Sequence, residues 1–292
     1  MGMTSTEASD LFRRPPERWI DTGRGEVAYR KVGTGPDVLF VHGWPVNSAT
    51  FRLLLPHLVD HVTCHLVDLP GAGASRFTDD TPLSIANHVH AVRHVVNELG
   101  LGAVAVVGHD SGGLIARHAM TNDPRLRAMG LIDTEQPHGP SLRFRTFLAG
   151  RHVPGFGAAL AWVSGRLTMR RNPFVLGGAF NDRSLLDGEF DEFFLAPLRD
   201  SPAHLRGAIR LLKSFDYGLF RSLAEVQRGI TAPVQLVWGE DDIFFPVEWA
   251  REMVGTFERA QLEVIPGAAL FSHEERPAAV AAALLPTLTR AS

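Results

Sequence analysis

Cysteine is almost missing from this chain: Cys64 is the only one in 292 residues. No intrachain disulfide can staple the fold, and a reducing compartment suits such usage. No apolar run is long enough to cross a bilayer. The opening stretch, MGMTSTEASDLFRRPPERW, carries acids and prolines where a signal peptide needs an apolar core, so a cytoplasmic location is expected. An excess of one charge is lacking too. The formal net charge of -3 offers no electrostatic footprint for nucleic acid or an anionic membrane, and neither is expected as a partner. Internal repeats and low-complexity tracts are also missing. What remains is an ordinary globular composition, 45% apolar and 21% charged, in a length that suits one large α/β domain or a domain with an insertion.

The most informative stretch is Val104 to Met120, where apolar strand formers run into glycine-rich punctuation and then a helical pattern with no linker between. A strained strand-to-helix turn presents the residue at its tip only if the positions two before and two after it are small. With Asp110 at the tip those positions are Gly108 and Gly112. With Ser111 at the tip they are His109 and Gly113, and an imidazole stands where only a small group fits. Asp110 is therefore the expected tip residue. A phosphate loop fits poorly, because G-H-D-S-G-G is neither G-x-G-x-x-G nor a Walker A, and a central carboxylate repels phosphate.

Residues 1–18 are polar, proline-bearing and without periodicity, which predicts a mobile tail. Trp19 to Asp21 and Glu26 to Val32 flank a glycine-rich turn and predict a hairpin. Buried-strand patterns follow at Asp37 to Val41, Thr63 to Leu69, the stretch before Asp110, and Ala128 to Asp133, with helical patterns between them. Asn47 or Ser48 can cap a helix reaching Leu58, and Thr81 with Pro82 reads as the cap of a helix that ends at Gly100. From residue 136 to 221 no buried-strand pattern occurs, and the stretch predicts a helical cap. Strands return at Pro233 to Trp238 and Gln261 to Ile265, so the core comprises 19–135 and 222–292.

This order of elements, with HGWP at His42 to Pro45, DLPGAGAS at Asp68 to Ser75, GHDSGG at Gly108 to Gly113 and WGEDD at Trp238 to Asp242, resembles the α/β-hydrolase superfamily. Within it, the chain resembles the aspartate-nucleophile branch of epoxide hydrolases and haloalkane dehalogenases. The resemblance implies a mostly parallel eight-stranded sheet flanked by helices, with the helical cap inserted after the sixth strand. The chemistry of an aspartate at the tip is plain: an ionised carboxylate can attack an sp3 carbon that bears a leaving group, giving an alkyl ester. Hydrolysis of the ester then needs a base, an acid that orients the base, and donors for the oxyanion. By resemblance the donors are the backbone N–H groups of Trp44 and Ser111. The orienting acid is Asp242, at the family's G-x-x-D position, with Glu135 after the preceding strand as the alternative.

The base position departs from that pattern. Relatives read P-G-x-G-H-F after the last strand, and this chain reads Pro266-Gly267-Ala268-Ala269-Leu270-Phe271, so leucine stands where the histidine is expected. His273 is close, but Ser272-His273-Glu274-Glu275 reads as a capping box, which places it on the surface at a helix start. Another histidine could replace the base, the chemistry could need no hydrolysis, the chain could be a binding protein on an enzyme scaffold, or the base could have been deleted by engineering. Epoxide opening in the relatives uses cap tyrosines, and Tyr217 is the only one in the cap stretch. Halide release needs N–H donors, for which Trp162 is the cap candidate. The cap arginines, from Arg143 to Arg171, could attract an anionic substrate. His90 and His94 stand four apart but lack the glutamate and third ligand of a zinc helix, so no metal or other cofactor is expected. The expected function is an epoxide hydrolase-like enzyme acting on a small apolar or weakly polar organic substrate, with a homodimer compatible. The alternatives are a haloalkane dehalogenase-like hydrolase and a catalytically impaired homologue that binds a small molecule or a partner.

Overall fold

Continuous apolar runs become strands covered on both faces. In the computed structural model, which describes residues 2–290, the strands are β1 (Arg18–Asp21), β2 (Glu26–Gly33), β3 (Asp37–Val41), β4 (Thr63–Asp68), β5 (Val104–His109), β6 (Leu126–Ile132), β7 (Val234–Gly239) and β8 (Ala260–Ile265). Met1 of the expected tail and the last two residues of the expected core, Ala291 and Ser292, lie outside the described residues. The strands form one sheet in the order β1-β2-β4-β3-β5-β6-β7-β8. β1 and β2 pair antiparallel and β2 joins β4 antiparallel; every other pairing is parallel. Every residue of β4, β5 and β7 is buried, as strands with helices on both faces require, whereas β8 at the sheet edge alternates between exposed and half-buried positions until Ile265.

The helices are α1 (Ser5–Arg13), α2 (Leu55–Leu58), α3 (Ile85–Glu98), α4 (Ser111–Met120), α5 (Leu142–Gly150), α6 (Phe156–Ser164), α7 (Leu167–Arg170), α8 (Ala196–Asp200), α9 (Pro202–Lys213), α10 (Tyr217–Arg228), α11 (Val247–Met253), α12 (Ser272–Glu275) and α13 (Pro277–Leu288). On one face of the sheet Val41, Val67, Val106 and Leu131 pack with Val92 and Val96 of α3 and Leu114 and Ile115 of α4. On the other, Phe40, Leu66, Val107 and Val237 pack with Leu55 and Leu58 of α2 and Val280 and Leu284 of α13. Between β6 and β7 the described chain is helical or irregular, from α5 through α10.

Three local expectations are corrected. The N-terminal residues are not a mobile tail. Thr4 and Glu7 form a reciprocal capping box at the start of α1, Ala8 is buried in the second core cluster, and Arg13 pairs with Glu189 and Glu192. The third helix begins at Ile85 with Ser84 as its cap, not at Thr81; the Thr81 hydroxyl instead accepts from the Thr78 N–H. The stretch after Asn47 is a 3-10 turn (Ser48–Phe51) followed by α2, rather than one helix.

Candidate active site

Asp110 occupies the junction of β5 and α4 with φ 50° and ψ -134°. That backbone region costs a side-chain-bearing residue on the order of 1–3 kcal/mol, so the surroundings must hold it there. They do so through the Asp110 carbonyl, which accepts from the Gly113 N–H at 2.8 Å and the Thr134 hydroxyl at 2.7 Å, and through the Asp110 N–H, which donates to the Asp133 carbonyl at 3.1 Å. The flanking glycines are sterically required. A Cβ on Gly112 would overlap the Val41 carbonyl oxygen, and one on Gly108 would stand 2.6 Å from the Gly112 carbonyl oxygen.

The loop after β3 closes over this turn. The Trp44 N–H donates to Asp110 Oδ2 at 2.8 Å, and the Ser111 hydroxyl reaches the same oxygen at 3.5 Å. Burial pushes the Asp110 carboxyl up to about 6, against the downward pull of Trp44 and Ser111, so it is mostly ionised at neutral pH. Its other oxygen, Oδ1, has no hydrogen-bond partner in the protein, and the side chain lines a cavity.

Behind Asp110 stand three more buried carboxyls, all from the ends of β6 and β7. Asp242 accepts at Oδ1 from the Phe244 N–H (2.7 Å) and the Phe245 N–H (3.0 Å), while its Oδ2 is buried with no partner. Burial pushes it up to about 8, with the Asp110 charge adding to the rise. Glu135 is likewise driven up to about 8 by burial and by Asp110, with Arg117 opposing. The Thr134 hydroxyl accepts from Arg117 and shares its hydrogen between the Asp110 carbonyl at 2.7 Å and Glu135 Oε2 at 3.0 Å. Asp133 has φ 38° and accepts at Oδ1 from the Gly239 N–H (2.6 Å) and at Oδ2 from the Ser272 hydroxyl (2.5 Å). Burial and the nearby Asp242 raise it well above the carboxylate range. Burial and mutual repulsion thus oppose simultaneous ionisation of the four carboxyls.

Leu270 lies on the cavity wall, 9% exposed, and only its backbone is polar: its carbonyl accepts from His109 Nε2 at 3.0 Å. His273 is corrected from a surface position to a fully buried one. The expected capping box is not formed, because the Ser272 hydroxyl turns to Asp133 and the Glu275 carboxylate accepts from the Ala269, Asn181 and Asp182 N–H groups. The His273 ring packs against His109 with centroids 4.3 Å apart and bonds Thr50 at 2.7 Å. Burial holds His109 at about 3 and His273 well below the usual imidazole range. Both rings are neutral, and neither lines the cavity.

The cavity encloses about 360 Å³ between the strand ends and helices α5, α6 and α9. Phe144, Phe147, Phe156, Phe180, Phe190 and Phe271 supply much of its wall, and among its lining side chains Asp110 is the only carboxylate. Tyr217 and Trp162 are not among the lining residues. Tyr217 is 42% exposed and Trp162, 48% exposed, lies under the Arg166 guanidinium at 3.9 Å. The Trp44 indole N–H is taken by the Ala208 carbonyl at 2.8 Å.

An elbow aspartate at a strand end, N–H donors from the loop after β3, and an acid after β7 form a recognisable whole, and the sequence of the chain agrees. A model of the alpha/beta hydrolase family matches residues 38–283. The chain belongs to this family. A relative that spans nearly all of this alpha/beta hydrolase is haloalkane dehalogenase 2 of Mycobacterium tuberculosis, 28% identical over 279 residues that cover 92% of this chain and 93% of the relative. A pimeloyl-[acyl-carrier protein] methyl ester esterase of Stenotrophomonas maltophilia is 39% identical over 181 residues, 54% of this chain and 66% of the esterase. Among solved structures, an alpha/beta hydrolase fold protein from Burkholderia ambifaria superposes with a TM-score of 0.77 at 23% identity, covering 92% of this chain and 97% of that one. A haloalkane dehalogenase from Bradyrhizobium elkani gives 0.74 at 20% identity, covering 90% and 93%. At such identities the structural likeness speaks for the fold.

Sequence reasoning missed two members of this alpha/beta hydrolase site. Asp133 follows a buried strand directly, the same signal that singled out Glu135 two residues later. Arg117, fully buried in α4, donates to the Gly113 carbonyl, the Thr134 hydroxyl and the Glu135 carbonyl, tying the elbow helix to the end of β6. Its signal was an arginine four residues after Gly113 on a helix that is, apart from His118, otherwise apolar or small.

Proposed function

We propose that this alpha/beta hydrolase attacks an apolar haloalkane with Asp110 and holds the product as a long-lived alkyl ester. The observation that carries the reading is the placement of Asp110: an ionised carboxylate, tethered at Oδ2 by the Trp44 N–H, faces a hydrocarbon cavity with Oδ1 free. Oδ1 bonds to the sp3 carbon, the carbon–halogen bond breaks, and the halide leaves with the bonding electrons. A desolvated carboxylate is the stronger nucleophile for this step, and the halide needs no proton. An epoxide oxygen does need one, and no tyrosine lines the cavity to give it. A free indole N–H for the halide is missing from the lining as well, so it is similarity to a haloalkane dehalogenase across most of the chain that favours dehalogenase-like over the expected epoxide hydrolase-like activity.

The second half of a hydrolytic cycle lacks its base. With Leu270 on the wall and the buried histidines outside the cavity, no side-chain nitrogen is placed to take a proton from water beside the ester. The Trp44 and Ser111 N–H groups would still stabilise an oxyanion on the ester carbonyl, so slow hydrolysis persists. Intact-mass measurement after incubation with short 1-bromoalkanes tests the reading, with styrene oxide run in parallel. The expected result is one alkyl adduct, mapped to Asp110 and lost in Asp110→Asn. No adduct across the bromoalkanes overturns it; an adduct from the epoxide alone would return the site to epoxide chemistry.

A further inference from the structure

The charge of the chain is small in total but unevenly placed. From residue 136 to 181 there are six arginines, Arg143, Arg145, Arg151, Arg166, Arg170 and Arg171, and not one aspartate or glutamate. The same stretch concentrates exposed apolar surface. Of the eight large apolar side chains that stand exposed among the described residues, six lie here: Leu142 (80%), Val153, Trp162, Leu167, Met169 and Phe174 (82%). About a sixth of the chain thus holds most of its exposed hydrophobic bulk, a distribution that marks an interaction surface rather than the scattered exposure of ordinary surfaces.

Segments of this stretch frame the entrance of the cavity, although of its exposed apolar side chains only Phe174 lines it directly. Arg143, Thr146 and Gly150 of α5, Ala159 and Val163 of α6, and Phe174 all line it, and Thr146, Ala159 and Phe174 are themselves exposed, so the opening lies among these three segments. Ile243 extends the apolar rim, since it packs beside Gly178 close to the Arg143 guanidinium. Two of the arginines, Arg170 and Arg171, are neutralised by Asp187 and Asp191. Arg145 and Arg166 have no carboxylate partner, and Arg143 donates only to the Pro173 and Val175 carbonyls.

We propose that this rim docks on the surface of an anionic lipid bilayer, with the cavity mouth opening toward the lipid. Tryptophan, leucine, methionine and phenylalanine interleaved with arginine are the side chains that partition into the headgroup boundary. Arginine without any acidic neighbour complements anionic headgroups, each such residue adding attraction that salt screens. Charge also argues against a second copy of the chain as the occupant. A self-complementary contact would set Arg143 and Arg145 near their own symmetry mates with no acid in the segment to pair them. No described helix is long and apolar enough to cross a membrane, so docking is peripheral. An apolar cavity with its entrance at the bilayer would take apolar molecules from where they accumulate.

Docking is independent of the chemistry at Asp110, and Asp110→Asn should bind vesicles as the parent protein does. The test is co-sedimentation of the full chain with vesicles of phosphatidylglycerol and phosphatidylcholine, and with phosphatidylcholine alone. Binding is expected to the mixed vesicles, weakened by added salt. It should fall at least roughly 10-fold in Arg145→Glu/Arg166→Glu, from the attraction of each arginine for an anionic surface, and fall clearly in Leu142→Ser/Leu167→Ser, with the melting temperatures of both variants unchanged. Absence of binding to the anionic vesicles overturns the proposal. So does binding that neither double variant alters, or a dimer in light scattering that Leu142→Ser/Leu167→Ser dissolves.

Discussion

At the scale of single residues the site turns on Asp110 and Leu270. In the proposed reaction only the carboxylate form of Asp110 can attack carbon, and its acid form persists up to about 6 because the side chain is buried. The rate of adduct formation should therefore climb with pH and level off above about 6, as followed by mass spectrometry across a pH series; a rate that keeps rising through pH 8 would assign the attack to another group. In the same proposal Leu270 stands at the position of the missing base. An imidazole in its place would share the cavity wall with Asp110. Leu270→His is expected to speed loss of the adduct by about 10²–10⁴-fold, the usual contribution of a positioned general base. An adduct that decays no faster in the variant than in the parent protein would show that position 270 is not the base position. Asp110 was legible in the sequence because its requirement is local: two glycines at fixed offsets, which sterics alone demand. The environment of His273 was not legible, since its burial depends on Thr50 and Phe51, more than two hundred residues earlier in the chain.

At the scale of elements, the buried strands were readable because a strand covered on both faces must be apolar throughout, and β4, β5 and β7 are. Helix α1 was not, because its sequence is mostly polar and it is fixed by contacts that only tertiary structure supplies. Those contacts converge on Glu189, which accepts from Ser9, Arg13 and Arg52. Arg52 also donates to Glu274 at 2.7 Å, and both of those side chains are almost wholly buried. One guanidinium thereby joins the first turn after β3, the helical insertion and α12. Removing one member of such a pair leaves a buried charge without a partner, a loss of about 3–5 kcal/mol. Arg52→Ala should lower the unfolding free energy by that amount in urea titration, whereas Arg76→Ala, which removes a surface pair with Glu26, should change it by less than about 1 kcal/mol. Equal effects of the two would show that the Arg52 pair carries no special weight.

At the scale of the whole molecule, composition and element order were enough for the fold class, but not for the gathering of four carboxyls at one end of the sheet. That gathering arises because parallel strands deliver their C-terminal residues to a common edge, where Asp110, Asp133, Glu135 and Asp242 meet. It gives the protein a pH dependence of definite sign. Asp242 and Glu135 titrate near 8 when folded against 3.8 and 4.5 for the free side chains. Between these values the folded protein holds protons that the unfolded chain has released, so this part of the stability is complete below about pH 4 and is lost as pH rises through 8. Buried histidines act oppositely. His88 and His109 stay neutral in the fold down to about 4 and about 3, and so favour the folded state less as pH falls below 6.5. The two trends oppose each other up to neutral pH, but above about 7.5 the buried histidines are neutral in both states while the carboxyls still titrate. Each such carboxyl then withdraws roughly 1.4 kcal/mol per pH unit. The melting temperature should accordingly fall between pH 7.5 and 8.5. Asp242→Asn keeps the shape of the protonated acid and removes its titration, so the fall should be shallower in that variant. A wild-type melting temperature that rises across this range, or an Asp242→Asn profile parallel to it, would mean that Asp242 is ionised in the fold and that the negative charge of the site is not confined to Asp110.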